Sequence, residues 1–357
     1  MIQTEPIGSI PRPPALLAAM RAYAQQRCTQ EEMKAAYDDA LHQTIAELEA
    51  TGSPVITDGE QTKPSFATYP LQGLTTLGAD GVIITFADGH QRRLPRLTGG
   101  PFRYGTYADR YVLAARRHAH APIKQAVISV SALSLLYPDA GISGYPREHF
   151  LDDLLREAEV DIRRCLNAGA HAVQIDFTEG RLAVKLDPSG GLLKGFIDLN
   201  NRVLSRFSST DRVRIGIHTC PGGDHDSTHS ADVDYGALLP HLFDLQAGKF
   251  YIQLASERDR ISVLKLIKRL ALPHHTIFVG VIDPLTPRIE TAAEVRDRVL
   301  EAASFIPIHQ LGTTDDCGFS PFGDDTSTTR EIAFAKIRAR VAGTAMAARQ
   351  LGTGEAP

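Results

Sequence analysis

The sequence lacks the features that are typical of membrane-spanning, nucleic-acid-binding, disulfide-rich and secreted proteins. It has no apolar run of the about 20 residues that a membrane-spanning helix needs. Its net charge of -4 provides no cationic excess with which to bind nucleic acid or an anionic membrane. Only four cysteines occur among 357 residues, which excludes a disulfide scaffold and favours a reducing, cytoplasmic compartment. The first residues, MIQTEPIGSIPRPP, do not have the basic and then apolar segments of a secretory signal.

The most regular pattern present is an alternation of short apolar runs with amphipathic segments. We count about eight strand-then-helix units, which predicts parallel strands joined by crossover helices. A doubly wound open sheet is the alternative, but the count and the length favour an α/β protein with a closed (β/α)8 TIM barrel. We expect a single domain over residues 1–357. After an extended start at 4–9, the predicted strands are 54–57, 125–130, 172–175, 213–217, 250–254, 277–282 and 306–311. Among the predicted helices, one begins at a capping box formed by Thr29 and Glu32, and an amphipathic one covers residues 147–167.

One stretch interrupts this alternation. The segment GVIITFADGHQRR, residues 81–93, has the pattern of a β-hairpin turned at Asp88 and Gly89. We therefore predict a β-hairpin insertion after the second strand, covering approximately residues 69–124.

Polar residues lie at or just past the predicted strand ends. In a barrel, the carboxyl ends of all strands meet at one mouth, where active sites are built. Strand ends are also polar simply because loops begin there, which explains Asp and Ser better than it explains a His-x-Cys pair. The residues in these positions are Ser9, Glu60, Asp176, His218, Gln253, Asp283 and Cys317.

The His-x-Cys pair lies in RIGIHTC, residues 214–220. Residues two apart on a strand point the same way, so if the strand persists through this tripeptide, His218 and Cys220 present an imidazole and a thiol to one point. Cys317, in TTDDCGF, adds a third soft ligand far along the chain, and such a set suits zinc. The alternative is a buried core histidine with two inert thiols.

Six short motifs, taken together, resemble the C-terminal catalytic barrel of the cobalamin-independent methionine synthase family. They occur in the order of that family and cover nearly the whole chain. Full-length enzymes of that family carry an additional N-terminal barrel, so this chain is similar to a short, core-only form. The motifs are IGS at 7–9, DGE at 58–60, QID at 174–176, HTC at 218–220, TPRIET at 286–291 and DCGF at 316–319.

The resemblance implies a zinc ion that binds a thiol substrate as thiolate and directs it at an alkyl carbon. It places the zinc ligands on His218, Cys220 and Cys317. It places the residues that hold the amino acid end of homocysteine on Ile7, Ser9, Glu60 and Asp176. An acidic pair suits an ammonium group, and a serine hydroxyl with a backbone N–H suits a carboxylate.

Two positions depart from the family pattern. The family's glutamate ligand falls on Gln253, with Glu257 as the alternative ligand four residues on. A neutral glutamine oxygen is a weaker ligand, which an incoming thiolate displaces more easily. The family's catalytic histidine falls on Leu285, so the nearest polar group, Asp283, is the predicted catalytic residue. A different proton donor or a different alkyl donor is therefore expected.

Further side chains are predicted to line the pocket or to support the ligands, namely Asp316, Glu179 and His225. Glu179 and Arg181 are expected in an exposed loop just past Asp176, where they could contact the substrate. His225 and His229 lie four apart and are also considered as a second metal pair, although their glycine-containing loop favours a role in shaping the donor pocket. The arginines at 92, 93 and 96 either meet an anionic donor tail, such as a folate glutamate, or form a solvated hairpin face.

The leading hypothesis is zinc-dependent methyl transfer to a homocysteine-like thiol, resembling 5-methyltetrahydropteroyltriglutamate–homocysteine methyltransferase. Its partners would be a small thiol and an alkyl donor, with methyltetrahydrofolate as one candidate, and neither nucleic acid nor membrane. Alternative hypotheses are thiol addition to an epoxide, corrinoid-dependent methyl transfer, and a non-catalytic barrel that binds zinc or an amino acid. A homodimer is left open, because nothing in the sequence determines the oligomeric state.

Overall fold

A computed structural model of the chain describes residues 2–353. Its strands are β1 (Gln3–Thr4), β2 (Leu77–Gly78), β3 (Ile83–Thr85), β4 (Gln91–Arg93), β5 (Arg96–Leu97), β6 (Lys124–Ile128), β7 (Ala172–Asp176), β8 (Ile215–Thr219), β9 (Gly223–Asp224), β10 (Ser227–Thr228), β11 (Lys249–Ile252), β12 (Thr276–Ile282) and β13 (Leu311–Asp315). Its helices are α1 (Pro14–Ala24), α2 (Gln30–Glu49), α3 (Asp109–Ala115), α4 (Val130–Ser134), α5 (Arg147–Asn167), α6 (Glu179–Leu186), α7 (Gly191–Leu204), α8 (Ser209–Arg212), α9 (Tyr235–Leu242), α10 (Arg260–Leu270), α11 (Ala292–Ala303) and α12 (Arg330–Gln350), with a 3-10 turn at Tyr69–Leu71. Within this part of the chain, no helix combines the length and apolar character needed to cross a bilayer.

Seven strands form one parallel sheet in the order β1-β13-β12-β11-β8-β7-β6. Strands β6, β7, β8 and β13 are buried along their whole length, because helices follow the strands and cover the sheet. The predicted α/β class with parallel strands is confirmed. The predicted strand at 54–57 contributes only an isolated parallel bridge, between Ile56 and Ile123 beside β6.

The predicted hairpin is present between the Ile56 bridge and β6. Strands β3 and β4 pair antiparallel, with Ile83 opposite Arg93, and Gly89 in the turn has a φ of +92°. A residue without a Cβ adopts this φ at no steric cost. Strands β2 and β5 form a second antiparallel pair next to it. The interpretation of residues 69–124 as an insertion in a single domain stays a prediction.

The prediction of a strand at 306–311 was wrong, because the strand that precedes Cys317 runs from Leu311 to Asp315. Ile306 instead continues the end of α11, where its N–H donates to the Ala302 carbonyl at 2.9 Å. The strand was missed because its residues are polar. They are nevertheless buried, and the Thr313 hydroxyl, for example, hydrogen-bonds to that of Thr344 at 2.8 Å.

Buried charges fix the β1 segment against β13 and α12. Arg340 donates to Oδ1 of Asp315 at 2.6 Å, and Oδ2 of the same carboxylate accepts the backbone N–H of Ile7 at 3.1 Å. Lys249 donates to Glu5 at 2.7 Å. The residues that follow β1 are thereby held at the mouth of the sheet.

The N-terminus of α2 has the predicted capping box. Thr29 accepts the N–H of Glu32 at 3.2 Å, and the Glu32 carboxylate accepts the N–H of Thr29 at 2.7 Å. Thr29→Ala is expected to lower the free energy of unfolding by about 1 kcal/mol, because a capping acceptor is lost. Urea denaturation measures this, with the exposed Thr75→Ala as control. Equal losses in the two variants would contradict the prediction.

Candidate metal and substrate site

The residues His218, Cys220 and Cys317 meet at the carboxyl end of the sheet. His218 lies within β8, level with Asp176 of β7 and Tyr251 of β11, and Cys220 follows the strand. The ligand atoms of His218, Cys220 and Cys317 lie within 4.8 Å of one another, and all three side chains are buried. The strand was predicted to end before His218, but it continues through Thr219.

The chemistry of these three side chains fits a zinc ion. The Cys220 and Cys317 sulfurs lie 3.1 Å apart as free thiols, too far for a disulfide bond of about 2.05 Å. His218 Nδ1 is buried without a hydrogen-bond partner among the described residues. Contact with Cys220, together with burial, raises the pKa of the Cys317 thiol well above its usual value. Sulfur and imidazole nitrogen are the ligands that zinc prefers, and a cation there would stabilise the thiolates.

Next to the three ligands lies a cavity of about 590 Å³ that opens partly to solvent. Two carboxylates enter it. Glu60 pairs through Oε1 with Lys63 at 3.2 Å, whereas its Oε2 is buried with no hydrogen-bond partner within residues 2–353. Asp176 accepts a hydrogen bond from Gln174 at 2.7 Å. Burial raises the pKa of both carboxyls, that of Glu60 to about 7 despite the opposing charge of Lys63.

Glu60 is held there by an unusual backbone conformation. Gly59 and Glu60 have φ values of +63° and +56°, which turn the chain sharply after Asp58. A Cβ on Gly59 would lie 2.6 Å from the Thr44 methyl group, so only glycine fits. A non-glycine residue such as Glu60 in the left-handed region costs about 1 kcal/mol or more, which is typical of functional positions.

Ile7 and Ser9 line the same cavity. The Ile7 N–H is already bound to Asp315, so it is not free to receive a substrate carboxylate in this arrangement. Ser9 Oγ accepts the N–H of Ser320 at 3.1 Å, which leaves the hydroxyl hydrogen of Ser9 available as a donor. Of the two, Ser9 has the geometry to bind a carboxylate with its side chain.

The two candidates for a fourth ligand are bound elsewhere. Gln253 directly follows β11, as Cys220 directly follows β8, but the Gln253 Oε1 accepts a hydrogen bond from Arg181 at 2.8 Å. Glu257 forms a salt bridge with Arg181 at 2.7 Å, and it is not part of the three-ligand group in the described range 2–353.

Asp316 and Glu179 are both buried supports. Asp316 accepts the backbone N–H groups of residues 254–256, at 2.7 to 2.9 Å, and so fixes the turn after β11. Glu179 accepts hydrogen bonds from the hydroxyls of Ser129 and Ser131. Burial raises the pKa of each carboxyl to about 7.

Asp283 and His225 do not line the cavity. Asp283 accepts the N–H of Leu285 at 3.0 Å, and burial raises the pKa of Asp283. His225 is exposed and groups with Asp224 and Asp325 rather than with His229. His229 does line the cavity, and burial lowers its pKa to about 4.

Arg93 donates to the Ala79 carbonyl at 3.3 Å, whereas the other two hairpin arginines are paired with carboxylates. Arg92 contacts Asp224 and Asp324, the latter at 2.9 Å, and Arg96 contacts Asp80 at 3.0 Å. Their positive charges are therefore balanced within the protein.

Two buried residues beside the site were missed or misplaced by sequence reasoning. Lys63, the buried partner of Glu60, was not considered, although DGEQTK places a lysine three residues after that glutamate. Arg181 was expected in an exposed loop together with Glu179. Both are buried in α6, and only the amphipathic pattern of residues 179–186 could have indicated this helix.

Comparison with known protein families shows to which family the chain belongs. The sequence model described as the cobalamin-independent synthase catalytic domain matches residues 1–341. The chain belongs to this family. The resemblance inferred from the six motifs is thereby confirmed.

Relatives of this cobalamin-independent synthase domain differ in length. The chain is 25% identical, over 98% of its length, to the 5-methyltetrahydropteroyltriglutamate–homocysteine methyltransferase of Nitratidesulfovibrio vulgaris, but it spans only 41% of that protein. It is 22% identical to a methionine synthase of Sulfurisphaera tokodaii, of which it spans 94%.

Solved structures show the same fold. A B12-independent methionine synthase from Shewanella, in complex with selenomethionine, superposes with a TM-score of 0.77 at 20% identity, covering 98% of this chain and 99% of that one. A putative B12-independent methionine synthase from Listeria monocytogenes gives 0.73 at 20% identity, covering 97% and 99%.

Proposed function

We propose that this cobalamin-independent synthase domain transfers a methyl group to the sulfur of homocysteine, or of a closely similar thiol, with zinc held by His218, Cys220 and Cys317. The observation that carries the proposal is the convergence of these three ligand atoms within 4.8 Å of one another, beside a cavity with two carboxylates. The names of the relatives, homocysteine methyltransferase and methionine synthase, support the same reaction class.

The protein side chains have separable tasks in this reaction. Glu60 and Asp176 bind the substrate ammonium group, and the Ser9 hydroxyl donates to the substrate carboxylate. Phe66, Phe86 and Phe322 line the cavity and give it apolar walls. Zinc, when bound, supplies the acidity that converts the substrate thiol into a thiolate. The sulfur then attacks the methyl carbon, whose bond to the donor breaks with the electron pair leaving on the donor.

A groove next to the cavity is suited to the methyl donor. It has a volume of about 1360 Å³, part of which is open to solvent, and its lining is mainly apolar, with side chains of β3 and α6 among others. The groove shares Phe66, Phe86 and His229 with the cavity. We infer that the ring system of the donor, for which methyltetrahydrofolate is a candidate, lies in this groove. Because Arg92 and Arg96 are already paired, they do not favour an anionic donor tail on the hairpin face.

The same groove favours one second candidate function. Its walls suit an uncharged, apolar electrophile, so thiol addition to an epoxide is the alternative: sulfur bonds to carbon, the carbon–oxygen bond breaks and the oxygen takes a proton.

We also infer that the segment around Ile56 completes an eight-stranded barrel, into which residues 69–124 are inserted. In support, the Ile56 N–H donates to Pro122 at 2.9 Å, and Thr57 Oγ1 donates to the Gly8 carbonyl at 2.8 Å. The free thiols of Cys220 and Cys317 favour activity in a reducing compartment such as the cytoplasm.

Zinc-loaded and chelator-treated protein, incubated with homocysteine and either methyltetrahydrofolate or methylcobalamin, tests the proposal. We expect methionine from at least one donor, loss of the reaction after chelation, and recovery with added zinc. A parallel incubation with 1,2-epoxypropane tests the second candidate. Full activity of metal-free protein would contradict the proposed function.

A further inference from the structure

The buried guanidinium of Arg181 occupies the place between α6 and the end of β11. The side chain is 2% exposed, and its guanidinium carbon lies 4.6 Å from the centre of the Tyr235 ring. It donates to the Val233 carbonyl at 2.8 Å and to Glu257 at 2.7 Å. Its remaining acceptor is Oε1 of Gln253, at 2.8 Å.

The orientation of the Gln253 amide follows from this contact. A guanidinium has only donors, so the atom of Gln253 that faces Arg181 must be the oxygen. The amide nitrogen donates to the hydroxyl of Ser256, which in turn donates to Asp316 at 2.7 Å. Reversal of the amide would set an NH2 group against the guanidinium, and both partners would lose a hydrogen bond in a buried site.

The single amide oxygen is therefore engaged, and the amide nitrogen is not a metal ligand. A glutamate in this position would have a second oxygen, with which it could bind Arg181 and a metal at the same time. Glutamine has a single oxygen, and a metal that shared it with Arg181 would bring two positive charges to the same atom. The last register pair of β11 and β8 is Ile252 with Thr219, and Gln253 and Cys220 are the residues that come next, so the lack of a free oxygen on Gln253 bears directly on the metal site.

We propose that Arg181 is a positioning residue that keeps Gln253 off the metal, so that the protein supplies three ligands and the fourth position receives the sulfur of the thiol substrate. This rests on the proposed zinc site of His218, Cys220 and Cys317. Three protein ligands with one open position are the pattern of catalytic zinc sites, whereas structural sites are closed by four. The ligand class for the open position is a thiolate.

Cobalt substitution tests this without reliance on activity, because the d–d and thiolate charge-transfer bands of Co²⁺ report coordination number and sulfur count. Gln253→Ala should leave the spectrum unchanged and the Co²⁺ affinity within about threefold of the wild-type value. If Gln253 supported the metal site, its loss would instead lower the affinity by about 10-fold or more. Gln253→Glu should change the d–d bands and weaken the added charge-transfer band that homocysteine produces. Gln310→Ala, which removes a buried amide bound to the Leu272 carbonyl at the opposite end of the sheet, is the matched control.

The role of Arg181 is tested by Arg181→Met, with folding checked by thermal denaturation. The released amide oxygen should enter the coordination sphere and shift the d–d bands, and the added Gln253→Ala change should restore the original spectrum. If Arg181→Met does not fold, the Gln253→Ala spectrum alone decides. A loss of Co²⁺ affinity of about 10-fold or more in Gln253→Ala would overturn the inference while leaving the metal site intact. Wild-type protein that shows no thiolate-to-cobalt band would overturn both the inference and the proposed function.

Discussion

Cys220→Ser and Cys317→Ser are each expected to lose about a hundredfold or more in zinc affinity, and with it thiol methylation, because even supporting residues of a metal site are worth about 10- to 100-fold. Each variant removes one of only two sulfurs in the ligand group. A serine hydroxyl stays protonated near neutral pH and is a poor substitute for a thiolate. Metal analysis after gel filtration, together with a methionine assay, measures the effect.

Cys28→Ser is the matched control for these variants. Cys28 is a free, partly exposed cysteine just before α2, and it contributes nothing to the group of His218, Cys220 and Cys317. It should retain about one zinc per chain. If Cys220→Ser and Cys317→Ser hold zinc as well as Cys28→Ser does, the two thiols are packing residues and the metal lies elsewhere.

Glu60→Gln is expected to weaken binding of homocysteine and of methionine by about 10- to 100-fold, because a charge-assisted hydrogen bond is worth about 1.5–3 kcal/mol. The effect should appear in KM rather than in kcat, since the ammonium group lies away from the reacting sulfur. The control ligand is 4-mercaptobutyrate, a thiol without the amino group. It should bind more weakly than homocysteine, and with the same affinity to the wild-type protein as to Glu60→Gln. Equal losses for homocysteine and 4-mercaptobutyrate would indicate that the substitution only disturbs the pairing with Lys63.

The pH dependence follows from the same carboxyl. Burial raises the pKa of Glu60 to about 7 in the free protein, so the carboxylate, which we propose binds the substrate ammonium group, forms as the pH rises through 7. Methionine, which has no thiol proton, should therefore bind about tenfold more tightly at pH 8 than at pH 6. Calorimetry in buffers of different ionisation enthalpy should show proton release near pH 7, absent in Glu60→Gln. Proton uptake on binding would contradict this account.

Structural elements were predicted correctly from the sequence where a single local signal determines them. Helix α5 has the bounds that its apolar periodicity indicated, residues 147–167, and the capping box of Thr29 and Glu32 begins α2 as expected. The spacing of His218 and Cys220 needs only a strand to bring the two side chains together. The convergence with Cys317 followed from parallel strands whose carboxyl ends share one edge.

What could not be predicted depends on contacts between distant residues. The polar strand Leu311–Asp315 looks like a loop until its partners, such as Arg340 for Asp315, are known. Asp315 accepts the N–H of Ile7, and Arg181 donates to the oxygen of Gln253. Both contacts likewise depend on tertiary packing. Hydrophobic periodicity contains no information about such pairings.

The most direct test of the central claim is zinc K-edge X-ray absorption of the purified protein, measured with and without homocysteine. The account predicts two sulfur ligands and one imidazole nitrogen from the protein, from Cys220, Cys317 and His218, and a third sulfur when homocysteine is added. A zinc shell of nitrogen and oxygen alone, unchanged by the thiol, would contradict it.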